Sequence, residues 1–324
     1  MLFRLAPCLV VVGLAFAQFG SAAEEFAIND VPQLEATPAA PSDAPEATYT
    51  LMDHLAAREG GYCSERGCDS KGGYRPACNL QHDFFVHGWI AQGFTWNPDN
   101  PVNRFNTPLT FNDRSNEYQL NQLYVSMGRA IDTSSCGWDF GGQVDLFFGT
   151  DYFFTQAIGL ETRRDGSPRW NSSNGPRGTG AAIYGLAMPQ LYAEVFAPIG
   201  GGISVKMGHF YTILGYESVP APENFFYSHA YTMQYGEPFT HTGLLASYDL
   251  GPGLSIHGGL TRGWNTWEDP NDKLGFLGGV TWTSADECTS CSFAIHTGSE
   301  DNAGANNRTS YSLVVTQQLT CNLT

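Results

Sequence analysis

The chain has 324 residues, of which 15% are charged and 13% are aromatic, and 37 are glycine. Soluble globular domains usually carry about 25% charged residues, so this composition is unusual for them and is typical of strands that cross a membrane. The net charge is −16, which excludes nucleic acid as a partner because little basic charge is available to neutralise phosphates.

The first 23 residues have the pattern of a secretory signal peptide. Arg4 precedes an apolar run from Leu5 to Phe19, and the small residues Ser21, Ala22 and Ala23 follow it. A membrane-spanning helix needs about 20 apolar residues, which this run does not reach. The pattern predicts export and cleavage after Ala23; an uncleaved N-terminal anchor is the alternative.

Residues 24–48 and 49–83 form two further segments before the first strand. The first is rich in proline, alanine and acidic residues, which predicts a flexible linker. The second holds Cys63, Cys68 and Cys78 near His82 and is interpreted as a small periplasmic module. The oxidising compartment and the lack of a closely spaced ligand pair favour disulfides over a zinc site there, and no metal or other cofactor is expected.

Other cysteines fall among the predicted strands. Cys8 lies in the leader, which leaves seven of the eight cysteines in the mature chain, an odd number whose pairing the sequence does not fix. Cys288 and Cys291 lie in one predicted turn, near Cys136 and Cys321 in the predicted topology. Disulfides between neighbouring turns are therefore expected, rather than a redox motif.

From residue 84 onward, apolar and polar residues alternate with the period of two that is typical of strands. In the clearest case Phe140, Val144 and Phe148 share one face, and Asp139 and Asp145 share the other. The pattern predicts about ten strands, at residues 84–96, 118–131, 138–149, 190–199, 203–210, 240–250, 254–263, 274–283, 291–298 and 308–319.

The connections between these strands alternate in length. Short turns, such as 200–202 and 251–253, alternate with long loops, such as 150–189 and 211–239. Because open sheet edges are prohibitively costly in lipid, this pattern predicts an antiparallel transmembrane β-barrel over residues 84–324. Ten strands could close on themselves, or C-terminal strands could be missing; the lack of a terminal aromatic residue favours the second.

Several short motifs follow one another along the chain after residue 84. They are Gly88-Trp89-Ile90-Ala91-Gln92-Gly93, Asn121-Gln122-Leu123-Tyr124, Gly208-His209-Phe210, Gly215-Tyr216-Glu217, Asn224-Phe225-Phe226 and Pro238-Phe239-Thr240-His241-Thr242-Gly243. With this order and spacing, residues 84–324 resemble the OmpL-like family of β-barrel porins found in Gram-negative-type bacteria. The resemblance implies a pore-forming outer-membrane protein with no catalytic residues to transfer.

The polar strand face is the predicted lumen of the barrel. Its four acidic residues outnumber its one basic residue, which favours cations over anions; the alternative is that these charges only keep the wall hydrated. The predicted lumen residues are Asp139, Gln143, Asp145, Glu194, Lys206 and Asp249.

Two long loops are candidates for contact with solutes. Loop 150–189 carries Arg163, Arg164, Arg169 and Arg177, whose guanidinium groups could hold carboxylate or phosphate groups at a constriction. The alternative is a surface loop that binds anionic lipid head groups or nothing. The aromatic residues of loop 211–239 could stack on sugars, although an interfacial aromatic girdle is favoured.

The sequence thus predicts passive diffusion of small hydrophilic solutes or ions, with a preference for cations. The partners are outer-membrane lipid and the solutes themselves, and a homo-oligomer stays open. The alternatives are a plugged structural or adhesive barrel whose surface loops bind ligands, and a secreted carbohydrate-binding β-sandwich. An enzyme is not expected, because His209 lies on the apolar face while the nearby Ser204 points the other way.

Overall fold

The computed structural model describes residues 84–134, 136–269, 271–300 and 306–318. The predicted signal peptide, linker and cysteine-bearing module, residues 1–83, lie outside the described residues. All ten predicted strands are present, which confirms the all-β prediction. Their bounds are β1 Phe84–Phe94, β2 Tyr118–Arg129, β3 Asp139–Gly149, β4 Gly185–Ala197, β5 Ile203–Tyr211, β6 Thr240–Gly251, β7 Leu254–Thr261, β8 Gly275–Thr283, β9 Thr289–Ser299 and β10 Asn307–Gln317.

The ten strands form one antiparallel sheet in which spatial order follows chain order from β1 to β10. The strands have 8 to 13 residues, close to the 9 to 11 residues or so that a tilted strand needs to cross a bilayer. Among the described strands, β1 and β10 each pair on one side only, so the described sheet is open. This meander is consistent with a β-barrel porin.

Helical structure is almost absent from the described residues. It consists of three 3₁₀ turns, Asp151–Phe153, Gly178–Gly180 and Ala221–Glu223, and one π turn, Thr232–Gly236. No helix in this part of the chain is long and apolar enough to span a bilayer.

The two tight hairpins predicted from glycine-rich sequence form as expected. Residues 198–202 join β4 to β5, and residues 252 and 253 join β6 to β7. Gly202 and Gly253 have φ values of 95° and 71°, in the left-handed region that glycine enters without steric cost. These turns fix the register in which neighbouring strands pair.

Strand β4 begins at Gly185, five residues before the predicted start at residue 190. Met188 and Pro189 interrupt the apolar and polar alternation, which suggested a loop. In the structure they form an irregularity where the pairing with β3 shifts register. Because proline has no backbone N–H, such a bulge is where a strand can hold it.

Candidate functional site

The two faces of the sheet carry different side chains. One face, called the outer face, exposes large apolar residues along most strands, although exposed apolar side chains are unfavourable in water. The outer face includes Ile90, Val125, Met127, Phe140, Leu191, Met207, Leu244, Leu260, Phe276, Val280, Phe293, Leu313 and Val315, each between 37% and 66% exposed.

The opposite face, called the inner face, holds the polar residues. Glu194 and Lys206 are directly paired across β4 and β5, and the Asp249 carboxylate accepts a hydrogen bond from Ser255 at 2.6 Å. Asp139 forms an ion pair with Arg129 at 2.9 Å. All six predicted lumen residues lie on the inner face by strand register; that they line a lumen stays a prediction.

Asp145 is the centre of a hydrogen-bond network on the inner face. Its carboxylate accepts hydrogen bonds from the hydroxyls of Tyr124 and Ser126, both at 2.6 Å. The amides of Gln143 and Gln190 donate to it at 2.9 Å and 2.7 Å. Asp145 is 2% exposed, so the network satisfies a buried charge rather than presenting it to solutes.

Lys206 lies next to this network on β5. Its Nζ is 4.7 Å from the centroid of the Tyr192 ring, within the range of a cation–π contact. The Tyr192 hydroxyl donates to the Gln143 side-chain oxygen at 3.0 Å. The positive charge of Lys206 is thus set between an aromatic face and the carboxylates of Glu194 and Asp145.

The connection between β5 and β6, residues 212–239, lies against the inner face and is called the inner loop. On one side, Gln122 of β2 donates to the Val219 carbonyl at 2.7 Å. On the other side, the Gly215 N–H donates to the Ser312 hydroxyl of β10 at 3.0 Å, and the Ser310 hydroxyl donates to the Gly236 carbonyl at 2.8 Å. The inner loop therefore touches strands from both ends of the described sheet.

The two ends of the inner loop are joined beside a pair of histidines. The Thr212 N–H donates to the Phe239 carbonyl at 2.9 Å, and the Thr212 hydroxyl lies 3.1 Å from Nε2 of His241. The ring of His241 is 4.8 Å from that of His296 on β9, between their centroids. These contacts fix the base of the inner loop to the wall.

The inner loop is acidic. It contains Glu217, Glu223 and Glu237 and no lysine or arginine. Burial and the nearby Glu217 carboxylate raise the pKa of Glu237 to about 7. Burial lowers the pKa of His229, although its Nδ1 lies 2.9 Å from the Glu217 carboxylate. The charge of the inner loop therefore changes near neutral pH.

A cavity of about 340 Å³ remains between the start of the inner loop and the wall. The wall contributes residues from β1 to β7, including Trp89, Gln143 and Lys206. Pro220, Pro222 and Glu223 close it from the loop side. The cavity is mixed in character, since apolar and aromatic groups alternate with hydroxyl, amide and charged groups.

The four arginines of loop 150–189 make contacts within and between loops. Arg177 forms a buried ion pair with Asp113 at 2.6 Å, and Arg169 pairs with Glu268 at 2.9 Å. Arg163 donates to the Pro168 carbonyl, and Arg164 donates to the Asp269 carbonyl at 2.9 Å. None of the four lines the 340 Å³ cavity of the described residues.

The aromatic residues predicted in the inner loop differ in exposure. Phe225 and Phe226 are 87% and 70% exposed, and Tyr216 is also exposed. The Tyr227 hydroxyl instead donates to the Asn121 side-chain oxygen at 2.9 Å. Tyr227 thus fastens the inner loop to β2, whereas the other three present free ring surface.

Two further predictions concern His209, on the outer face, and Cys288 and Cys291, in a turn. His209 lies on the outer face by register, but it is fully buried, because Trp267 covers it with ring centroids 5.5 Å apart. Cys288 and Cys291 are free thiols, so the expected disulfide between their turn and a neighbouring turn does not form through either of them. Cys136 is disulfide-bonded, and its partner lies outside the described residues.

An antiparallel sheet of this length, apolar outside and polar inside with a loop on its inner face, has the features of a porin wall. The family model for "Putative beta-barrel porin-2, OmpL-like" matches residues 83–324. The chain belongs to this family of β-barrel porins. Membership implies an outer-membrane location. No curated protein and no solved structure matches the chain.

Sequence reasoning missed one residue of the site in particular. Gln122 connects β2 to the inner loop, the 3₁₀ turn at Asp151 and the indole of Trp89. It falls within the Asn121-Gln122-Leu123-Tyr124 motif, where two adjacent amides replace strict alternation. That break in the pattern is the signal that could have marked Gln122, since it coincides with the bulge between β1 and β2.

Proposed function

We propose that this porin allows passive diffusion of small hydrophilic solutes across the outer membrane, without catalysis, and prefers cations. The observation that carries the proposal is the distribution of side chains on the sheet: exposed apolar side chains lie on the outer face, and polar side chains lie on the inner face. Such an arrangement suits a wall between lipid and water. Export through a cleaved signal peptide is part of the same proposal.

The inner loop is the proposed constriction. It lies across the inner face, contacts β2 and β10, and carries three glutamates without a lysine or arginine. With Glu194 and Asp249 on the wall against Lys206, acidic side chains outnumber basic ones on both sides of the proposed path. A narrow path lined by one sign of charge raises the local concentration of the opposite ion.

A plugged barrel is the second candidate, because the inner loop is fixed to the wall at several points. Gln122 and Ser310 each donate a hydrogen bond to the inner loop, and the loop donates one to Ser312. These bonds hold the inner loop at both sides of the sheet. In that case the exposed aromatic residues of the inner loop would serve ligand binding rather than passage of solutes.

The test is the conductance of the refolded chain in a planar lipid bilayer, with the reversal potential measured under a gradient of KCl. Discrete open steps and a reversal potential on the cation side are expected. Glu223→Gln should move the reversal potential toward zero, whereas the exposed control Glu287→Gln should not. A folded, membrane-inserted protein without conductance would refute the pore and favour the plugged barrel.

A further inference from the structure

Two long loops extend the wall of the sheet beyond the ends of its strands. The Asn265 N–H donates to the Thr240 carbonyl at 3.1 Å, so the connection between β7 and β8 continues along β6. Ile158 of loop 150–189 pairs with the same connection, since its N–H donates to the Asn265 carbonyl and its carbonyl accepts from the Trp267 N–H, both at 2.8 Å. This part of the molecule is called the loop wall and comprises residues 157–171 and 262–269.

The loop wall borders the apolar outer face. Trp267 covers His209 on that face, with ring centroids 5.5 Å apart. Arg262 follows Leu260 by two residues, and its N–H continues the pairing with β6, so alternation places it on the same face as Leu260. Trp170 is 45% exposed, and its indole donates to a carbonyl of β4 at 3.2 Å. Tryptophan and arginine at the border of an apolar wall are typical of the level at which a membrane protein meets lipid head groups.

Two arginines of the loop wall present guanidinium groups that form no ion pair within the described residues. Arg164 donates to the Asp269 carbonyl at 2.9 Å, and Arg262 donates to the Trp267 carbonyl at 2.7 Å. Both arginines are exposed, and both are fixed to one segment, residues 267–269. A backbone carbonyl orients a guanidinium group but carries no net charge to neutralise it, and the remaining N–H donors of each group match the geometry of a phosphate.

The acidic side chains of the loop wall are each bound inside it. Glu268 forms an ion pair with Arg169 at 2.9 Å. The Asp269 carboxylate accepts two backbone N–H groups of the turn that follows it, at 3.0 Å and 2.8 Å. Asp165 likewise accepts a backbone N–H and a hydroxyl of its own turn, at 2.9 Å and 2.6 Å. Glu161 is buried and accepts two backbone N–H groups. These carboxylates thus have partners other than the two arginines.

We propose that Arg164 and Arg262 bind the phosphate group of an anionic lipid in the outer leaflet, whose acyl chains lie along the outer face. Charge complementarity carries the proposal, because two exposed guanidinium groups without an ion pair stand side by side and bind phosphate strongly. Continuity with the apolar outer face selects a lipid over a soluble anion. The long loops of such barrels lie on the extracellular side, which assigns the site to the outer leaflet.

The test measures lipid binding to the refolded full chain in a neutral detergent by native mass spectrometry. Dioleoylphosphatidylglycerol is compared with dioleoylphosphatidylcholine, which has the same acyl chains and a phosphate but no net charge. The wild-type protein should bind phosphatidylglycerol about tenfold more tightly, since each arginine near an anionic head group contributes about a factor of five.

Substitutions of the two arginines separate their charge from their shape. Arg164→Gln and Arg262→Gln should each weaken phosphatidylglycerol binding about three- to fivefold and leave phosphatidylcholine binding unchanged. Arg262→Lys keeps the charge but loses the planar fork and should weaken binding only about twofold, which keeps the test valid if the glutamine variants do not refold. The matched control is Arg104→Gln in the connection between β1 and β2, where Arg104 pairs with Glu117 at 3.6 Å; it should leave the binding of both lipids unchanged.

The outcomes decide both the site and its occupant. Equal binding of the two lipids by the wild-type protein, or unchanged phosphatidylglycerol binding in both glutamine variants, would overturn the proposal. An excess of inorganic phosphate at constant ionic strength should displace little phosphatidylglycerol, because the acyl chains also contact the outer face. Complete displacement would reveal a site for soluble anions and would refute the lipid as its occupant. The conductance of KCl tests the pore separately, so failure of one proposal leaves the other standing.

Discussion

Replacing Glu237 by glutamine should remove a pH-dependent cost to folding. Burial raises the pKa of Glu237 from 4.5 to about 7, so the folded protein holds this proton over a pH range in which the unfolded chain has lost it. A carboxyl with a raised pKa destabilises the folded state as pH rises above 4.5, and the cost is complete above about 7.

The size of that cost follows from the shift. Each pKa unit corresponds to about 1.4 kcal/mol, so a shift from 4.5 to about 7 sets an upper bound of about 3 kcal/mol. Glu237 lies at the surface of a cavity and is partly reached by water, so about 1 to 2 kcal/mol is the working expectation. Glu237→Gln should therefore stabilise the protein by about 1 to 2 kcal/mol at pH 8 and by little at pH 4.5.

The assay is urea unfolding of the refolded chain in detergent, at half-unit steps from pH 4.5 to 8.5. Asp151 and Glu161 also have pKa values raised to about 7 by burial, so the wild-type protein alone would not isolate Glu237. The difference between wild type and Glu237→Gln cancels their contribution, and Glu287→Gln controls for loss of a surface charge. A difference that is constant with pH would refute the buried, protonated state of Glu237.

Three other substitutions test the wall and its loops. Asp145→Asn should destabilise the protein by about 2 to 4 kcal/mol, measured by urea unfolding, because an amide cannot accept all the hydrogen bonds now donated to the carboxylate. Arg177→Met should cost about 3 to 5 kcal/mol in the same assay, since it leaves Asp113 buried and unpaired; an unchanged midpoint would show that water replaces the guanidinium. Lys206→Gln should move the reversal potential further to the cation side under a KCl gradient, and a shift toward anions would contradict the charge balance assigned to the inner face.

The strands and their faces could be predicted because the relevant information is local. In β3, alternation alone assigned Asp139 and Asp145 to one face and Phe140 and Phe148 to the other, and the pairing with β2 and β4 confirms that division. The one substantial error in strand bounds, at the start of β4, arose where a bulge breaks the period of two. A bulge adds one residue to a strand and so breaks the two-residue alternation of apolar and polar side chains, which makes the strand look like a loop.

The position of the loops could not be predicted in the same way. Loop 150–189 attracted attention because it holds four arginines, but Arg177 is matched by Asp113, 64 residues earlier in the chain. The inner loop is held by contacts such as Gln122 to Val219, 97 residues apart. Local sequence patterns carry no information about such distant pairs. The four arginines therefore drew attention to loop 150–189, whereas packing places the inner loop against the inner face.

The fixed position of the inner loop rests to a large extent on Gln122. Its amide nitrogen donates to the Asp151 carboxylate at 2.9 Å and to the Val219 carbonyl at 2.7 Å. Its oxygen accepts from the Trp89 indole at 2.9 Å and from the Ala221 N–H at 3.1 Å.

All four hydrogen-bonding positions of the Gln122 amide are therefore used. Two of the partners, Trp89 and Asp151, lie on β1 and in a 3₁₀ turn, and the other two, Val219 and Ala221, lie in the inner loop. A rotation or shift of the loop would leave several of these groups unpaired in a place largely closed to water, at about 1 to 3 kcal/mol each. These hydrogen bonds hold the inner loop in one position against the wall, and the width and charge of the proposed solute path beside it follow from that position.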